Sequence, residues 1–132
     1  MSLNKKFMGI DYGTKRVGIA LSDDGGSMAF QRTVLSNDKH LLSKVEALCS
    51  TEGVAEIVMG ESLNYAQKPN PLMEHITPFK KELESATHLP VHFEREFMTS
   101  AEAKHMQGDV GSLDASAAAI ILQSYLDKQH HG

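Results

Sequence analysis

The spacing of turns in the first 35 residues restricts the fold most. "KFMGIDY" (Lys6–Tyr12) and "VGIALS" (Val17–Ser22) are apolar, strand-like runs separated only by a short turn built on Gly13-Thr14-Lys15. A link that short cannot cross over the face of a sheet, so the two runs can pair only as antiparallel neighbours. Asp23-Asp24-Gly25-Gly26 makes a second turn, because Asp and Gly tolerate the positive φ that hairpins need. Met28–Leu35 then supplies a third strand, and the chain opens with an antiparallel meander.

Beyond Leu35 the period of the pattern changes. Asn37 or Asp38 caps a helix that carries Leu41, Val45 and Leu48 on one face, and Gly53 closes it. "VAEIVMG" (Val54–Gly60) is a short apolar run of the kind found in buried parallel strands. A polar, proline-bearing loop follows, then a helix after Asn70-Pro71 with Leu72, Ile76, Phe79 and Leu83 inward. Pro78 either kinks that helix or restarts it with Thr77 as cap. "LPVHFER" (Leu89–Arg95) is a fifth strand. The capping-box spacing of Thr99 and Glu102 starts another helix near Ser100, ending around Gln107-Gly108. A last helix, Asp114–Lys128, has Ala117, Ala118, Ile121 and Tyr125 along one stripe. The order β-β-β-α-β-α-β-α-α predicts an α/β fold: a mixed five-stranded sheet, its first three strands antiparallel, with helices on both faces.

The 132 residues suit one domain, 1–132, with no internal boundary or repeat. A charged fraction of 23% against 41% apolar is globular and not disordered. No apolar run approaches the ~18 residues that span a bilayer, so no membrane partner is expected. The single cysteine, Cys49, has no internal partner, which favours a cytoplasmic location. A net charge of −4 argues against coating nucleic acid by bulk electrostatics. It leaves room for an enzyme that grips phosphates locally and neutralises its acids with metal ions.

Three carboxylates stand where local structure does not ask for them: Asp11 inside an apolar strand, Glu96 at the end of the fifth strand, and Asp114 at the start of the last helix. Each also has an ordinary reading, as a turn-former, a solvated strand-end charge and a helix-dipole acid respectively. Acids gathered from distant segments repel one another and resist desolvation unless a hard cation offsets the cost. Mg²⁺ accepts such carboxylates together with water and phosphate. Two ions ~3.5–4 Å apart can stabilise both the attacking and the leaving oxygen of a phosphodiester.

"GIDYGTKRVGIALSD", "EIVMG" followed by a polar loop, "EREFMTSAEA" and "LDASAAAIILQSYLD" together resemble the YqgF/RuvX family over nearly the whole chain. These are bacterial proteins with an RNase H-like fold, related to Holliday junction resolvases. The resemblance implies a nuclease using Mg²⁺ or Mn²⁺, associated with maturation of the 5′ end of the 16S ribosomal RNA precursor. It maps the catalytic, metal-binding acids onto Asp11, Glu96 and Asp114. It implies nucleic acid as partner, either precursor rRNA, free or in a ribosomal precursor particle, or branched DNA, and a monomer or a homodimer. The chain departs from the family at Arg95-Glu96-Phe97, where Asp-Glu-Arg is usual, and at Glu61-Ser62, where the family has an apolar residue and proline. Glu94 is an alternative second acid, since strand alternation puts it on the same face as Glu96.

Gly13, Thr14, Lys15, Arg16 and Arg95 are the candidate substrate contacts. Gly13 lets a phosphate backbone approach the main chain, and Arg is the better fork for phosphate. Solvated turn charges are the alternative for Lys15 and Arg16. Two other functions share these features. An actin-like kinase or ATPase also carries Asp-x-Gly-Thr, but pairs two such domains. A non-catalytic RNA- or ribosome-binding factor would keep the fold without the activity.

Overall fold

The computed structural model describes residues 5–61, 73–95 and 113–131, apart from the side chains of 61, 73, 95, 113–116 and 130–131. Of the loop expected after Gly60, Glu61 ends β4 and the rest, like the helix near Ser100 and Glu96, lies outside the described residues. The elements are β1 (Lys6–Tyr12), β2 (Arg16–Ser22), β3 (Ala29–Ser36), α1 (Leu41–Glu52), β4 (Val54–Glu61), α2 (Met73–Thr87), β5 (Val91–Arg95) and α3 (Leu113–His131).

The five strands form one mixed sheet in the order β3-β2-β1-β4-β5. The meander pairs antiparallel, while β1–β4 and β4–β5 are parallel. Each parallel step is bridged by a helix, as the geometry of a crossover requires. β1 therefore lies at the centre of the sheet.

Side chains alternate across β1 and divide the core in two. Met8 and Ile10 join Val45, Ile57, Ile76 and Leu83 in the layer under α1 and α2. Phe7 joins Ala20, Val58, Ala118 and Leu122 in the layer under α3. In the second layer α3 packs directly on the backbone of β1. On Gly9 an added Cβ would fall 2.7 Å from the Leu122 Cβ and 2.8 Å from the Ala118 carbonyl oxygen. Overpacking of this kind is not tolerated without movement of the helix.

Local signals set the ends of the elements. Gly53 ends α1 in the left-handed region (φ 68°), with its N–H donated to the Cys49 carbonyl. Asp23 shapes the second turn: its carboxylate accepts the N–H groups of Ser27 (2.7 Å) and Met28 (3.1 Å). Those bonds hold its carboxyl below the ordinary carboxylate value.

One expectation is corrected and, at Pro78, one of two alternatives is excluded. The N-cap of α1 is His40, with no side-chain cap bond, in place of Asn37 or Asp38. Asp38 acts two residues earlier, accepting the His40 N–H at 2.9 Å in an Asx turn that leads into the helix. α2 neither restarts at Pro78 nor needs Thr77 as cap; the helix runs through both. Pro78 is exposed on its outer face, where the ring costs one backbone bond and no core packing.

Candidate functional site

Asp11 is the sixth of the seven residues of β1, toward the strand's C-terminal end, and is half-buried. Ile10 and Tyr12 face the α1/α2 layer, so alternation turns Asp11 toward the α3 layer. Its register partner on β2 is Gly18. On β4, Gly60 follows Met59, the partner of Ile10. The strand positions flanking Asp11 are therefore both glycines.

α3 crosses this face antiparallel to β1. Its Tyr125 ring lies 6.0 Å from that of Phe7, whereas Ala118 and Leu122 sit over Gly9. From Gly9 to Asp11 the strand advances ~6.7 Å. From Ala118 back to position 114 the helix advances ~6 Å. The helix start is thereby carried to the same end of the sheet as Asp11, and with it the positive end of the helix dipole. Asp114 belongs to that first turn, and its side chain is outside the described residues. Arg95 ends β5. Among the described residues no three acids, histidines or cysteines converge on one point.

Glu94, the alternative second acid, has a different role. It is buried, at 4% exposure, and its Oε2 accepts hydrogen bonds from Ser124 Oγ (2.8 Å) and Lys128 Nζ (2.7 Å). A buried carboxylate needs such partners. Here they tie the end of β5 to the later turns of α3.

The expected phosphate-side residues gather on one turn. Thr14, Lys15 and Arg16 are exposed, and Arg16 opens β2 opposite Ser36 of β3. The turn is tight, since a Cβ on Gly13 would stand 2.5 Å from the Arg16 carbonyl oxygen. Pattern reading of the sequence missed what holds it. Asn37, just past β3, donates from Nδ2 to the Gly13 carbonyl (2.7 Å) and from its backbone N–H to that of Lys15 (2.9 Å). The sequence reads Asn37 as a possible cap for α1, and only the pairing of β3 with β2 brings it here.

Two further features were not foreseen. Glu56 accepts from Lys5 Nζ (3.0 Å) and pairs with His92 Nε2 (2.8 Å), while the His92 ring stacks on Tyr125 at 5.4 Å. Burial pushes the Glu56 carboxyl up, but the Lys5 and His92 contacts outweigh it and hold the group below its ordinary value. On the opposite face of the sheet, a cleft of about 370 Å³ is lined by Tyr12, Asn37, Leu41, His75 and Phe79 among others. Cys49 is buried in that layer, and desolvation first, then Glu46, pushes its thiol up to about 11. A thiol so placed is inert packing at neutral pH.

The sheet order and α3 packing define a class that solved structures share. Thermus thermophilus RuvC in complex with a Holliday junction substrate superposes with a TM-score of 0.64 at 16% identity, covering 96% of each chain. The fowlpox virus resolvase, solved with Holliday junction DNA, superposes with a TM-score of 0.59 at 10% identity, over 94% of this chain and 98% of its own. The fold is therefore that of the RNase H-like resolvases.

Within that class the chain belongs to the RuvX family, described as Holliday junction resolvase, whose model matches residues 5–128. A relative from Nitratidesulfovibrio vulgaris is 36% identical, over 92% of this chain and 93% of its own length. Another, from Moorella thermoacetica, is 34% identical over 93% and 95%. Both are named "Putative pre-16S rRNA nuclease". Among the described residues, no helix is long and apolar enough to cross a membrane.

Proposed function

We propose that this chain is a metal-dependent endonuclease that hydrolyses phosphodiester bonds at the 5′ end of the 16S ribosomal RNA precursor. The observation that carries the reading is the setting of Asp11: a carboxylate near the C-terminal end of the central strand, between glycine positions, with the start of α3 brought to the same end of the sheet. The names of the relatives supply the substrate class.

In this reading Asp11, Glu96 and Asp114 are the catalytic acids and hold Mg²⁺ or Mn²⁺, either one ion or a pair. Hard carboxylate oxygens suit those ions. When bound, such ions polarise the phosphodiester and lower the pKa of bound water. Glu96 is preferred over Glu94 because Glu94 already meets Lys128 and Ser124. Gly13, Thr14, Lys15, Arg16 and Arg95 bind the substrate backbone by charge-assisted hydrogen bonds. The enzyme works in the cytoplasm on precursor rRNA, free or within a precursor particle, as a monomer or homodimer.

The fold shared with junction resolvases favours one second reading, cleavage of branched DNA. A single assay separates the readings: cleavage of single-stranded RNA and of a four-way DNA junction, each with Mg²⁺, Mn²⁺ or EDTA. The proposed function expects metal-dependent cutting of RNA, with Asp11→Asn reducing the rate at least ~100-fold while the fold is kept. Preferential cutting of the junction supports the second reading. An Asp11→Asn variant that cuts as fast as the parent removes the assigned site. Binding of RNA without cutting identifies a non-catalytic factor.

A further inference from the structure

Asn37 stands outside the expected site, at the foot of β3, yet it grips the turn that begins two residues after Asp11. Its two bonds, Nδ2 to the Gly13 carbonyl (2.7 Å) and backbone N–H to the Lys15 carbonyl (2.9 Å), bracket Thr14 along the chain. The turn has little slack, because Gly13 lies against the Arg16 carbonyl with no room for a Cβ. Lys15 and Arg16 are exposed at its tip while Asn37 is half-buried beneath it. One residue from a separate strand end thus sets the backbone from which two cations project.

We propose that Asn37 is a positioning residue for substrate: it holds the Gly13–Arg16 turn so that Lys15 and Arg16 meet phosphate at a set spacing from Asp11. The proposal rests on the nucleic-acid-cleaving function above, which supplies the phosphate. Its physical basis is preorganisation. A turn left mobile must be ordered when the substrate binds, and that entropy comes out of the affinity. Asn37 touches no substrate in this account and acts through the turn alone.

Asn37→Asp tests it with least change of shape. The amide donor becomes a carboxylate oxygen facing the Gly13 carbonyl, so an attraction becomes a repulsion, while the backbone N–H bond can persist. Binding of a fluorescent single-stranded RNA is followed by anisotropy in Mg²⁺, in an Asp11→Asn background that prevents cutting. Four proteins are compared: the background, Asn37→Asp, Lys15→Ala with Arg16→Ala, and the triple combination. Amide hydrogen exchange of the turn is read on the same samples.

The expected result is faster exchange at Thr14, Lys15 and Arg16 in Asn37→Asp, with RNA binding weakened ~3–10-fold. The triple variant should bind about as weakly as the Lys15/Arg16 pair, since residues acting through one element are not additive. A merely structural role predicts the opposite, losses that multiply. Unchanged exchange in the turn, or multiplied losses, overturns the proposal. Failure of the nuclease reading looks different: a parent chain whose cutting rate is untouched by Asp11→Asn, or one that never cuts. A background protein that binds no RNA overturns both.

Discussion

Gly9 of β1 and Leu122 of α3 approach so closely that a Cβ on the glycine would lie 2.7 Å from the Leu122 Cβ. This contact fixes how near α3 comes to the central strand, and so where the helix start stands relative to Asp11. Gly9→Ala must push the helix outward. The expected cost is about 1–3 kcal/mol, read as a lower denaturation midpoint in urea. Cleavage should fall further than the loss of folded protein explains, because the first turn of α3 moves with the helix. Unchanged stability would mean that the two layers adapt without cost.

Crowded carboxylates should weaken the metal-free protein. Mg²⁺ or Mn²⁺ at 100 times its dissociation constant should stabilise the fold by about 2.7 kcal/mol. Thermal melts with metal and with EDTA measure this, and Asp11→Asn should abolish most of the difference. Superimposable melts of the parent count against a clustered metal site.

Glu94 and Glu96 should separate cleanly in function. Glu94→Gln keeps the shape but loses the charge that meets Lys128 Nζ at 2.7 Å. A loss of about 1–2 kcal/mol in stability is expected, with metal-dependent cutting retained. Glu96→Gln should do the reverse, leaving the melt near that of the parent and removing cleavage. If Glu94→Gln is the one that loses cleavage and metal response, the second acid is Glu94.

The Lys5–Glu56–His92 cluster gives a pH signature. The folded Glu56 carboxyl titrates below its ordinary value of 4.5, so the unfolded chain binds more protons in that range. Its contribution is therefore present above the ordinary value and is lost as pH falls through the lower, folded one. Glu56→Gln should destabilise the protein by about 0.5–1 kcal/mol near neutrality. The difference from the parent should vanish in acid below the carboxylate range, which urea titrations at several pH values will show.

Much of the scaffold is legible in the sequence and recurs in the structure. Lys6–Tyr12 has the same bounds in both, and the meander, the Gly53 cap and the strand at Val54 follow from local pattern. Period-two alternation, turn chemistry and left-handed glycines act over a few residues, so short stretches of sequence suffice to read them. The cap at His40 and the unbroken helix through Pro78 are places where neighbouring backbone and solvent exposure outweighed a residue's preference.

The site divides along the same line. Asp11 could be singled out because a carboxylate within an apolar strand contradicts its surroundings, and that contradiction is local. What the carboxylate is for depended on strand order and crossing geometry. Those placed β1 centrally, set Gly18 and Gly60 on either side, and ran α3 back along its face. Glu94 shows the limit most sharply. Its position on the strand marks it as a rival of Glu96, and no pattern in the chain says that Lys128, 34 residues on, will occupy it. Asn37 is the same case in reverse, a polar residue that reads as a helix cap but whose partner, Gly13, lies 24 residues back and is reached only when β3 folds against β2. Local propensity names the elements, whereas contacts between distant segments decide which polar groups are tied to one another.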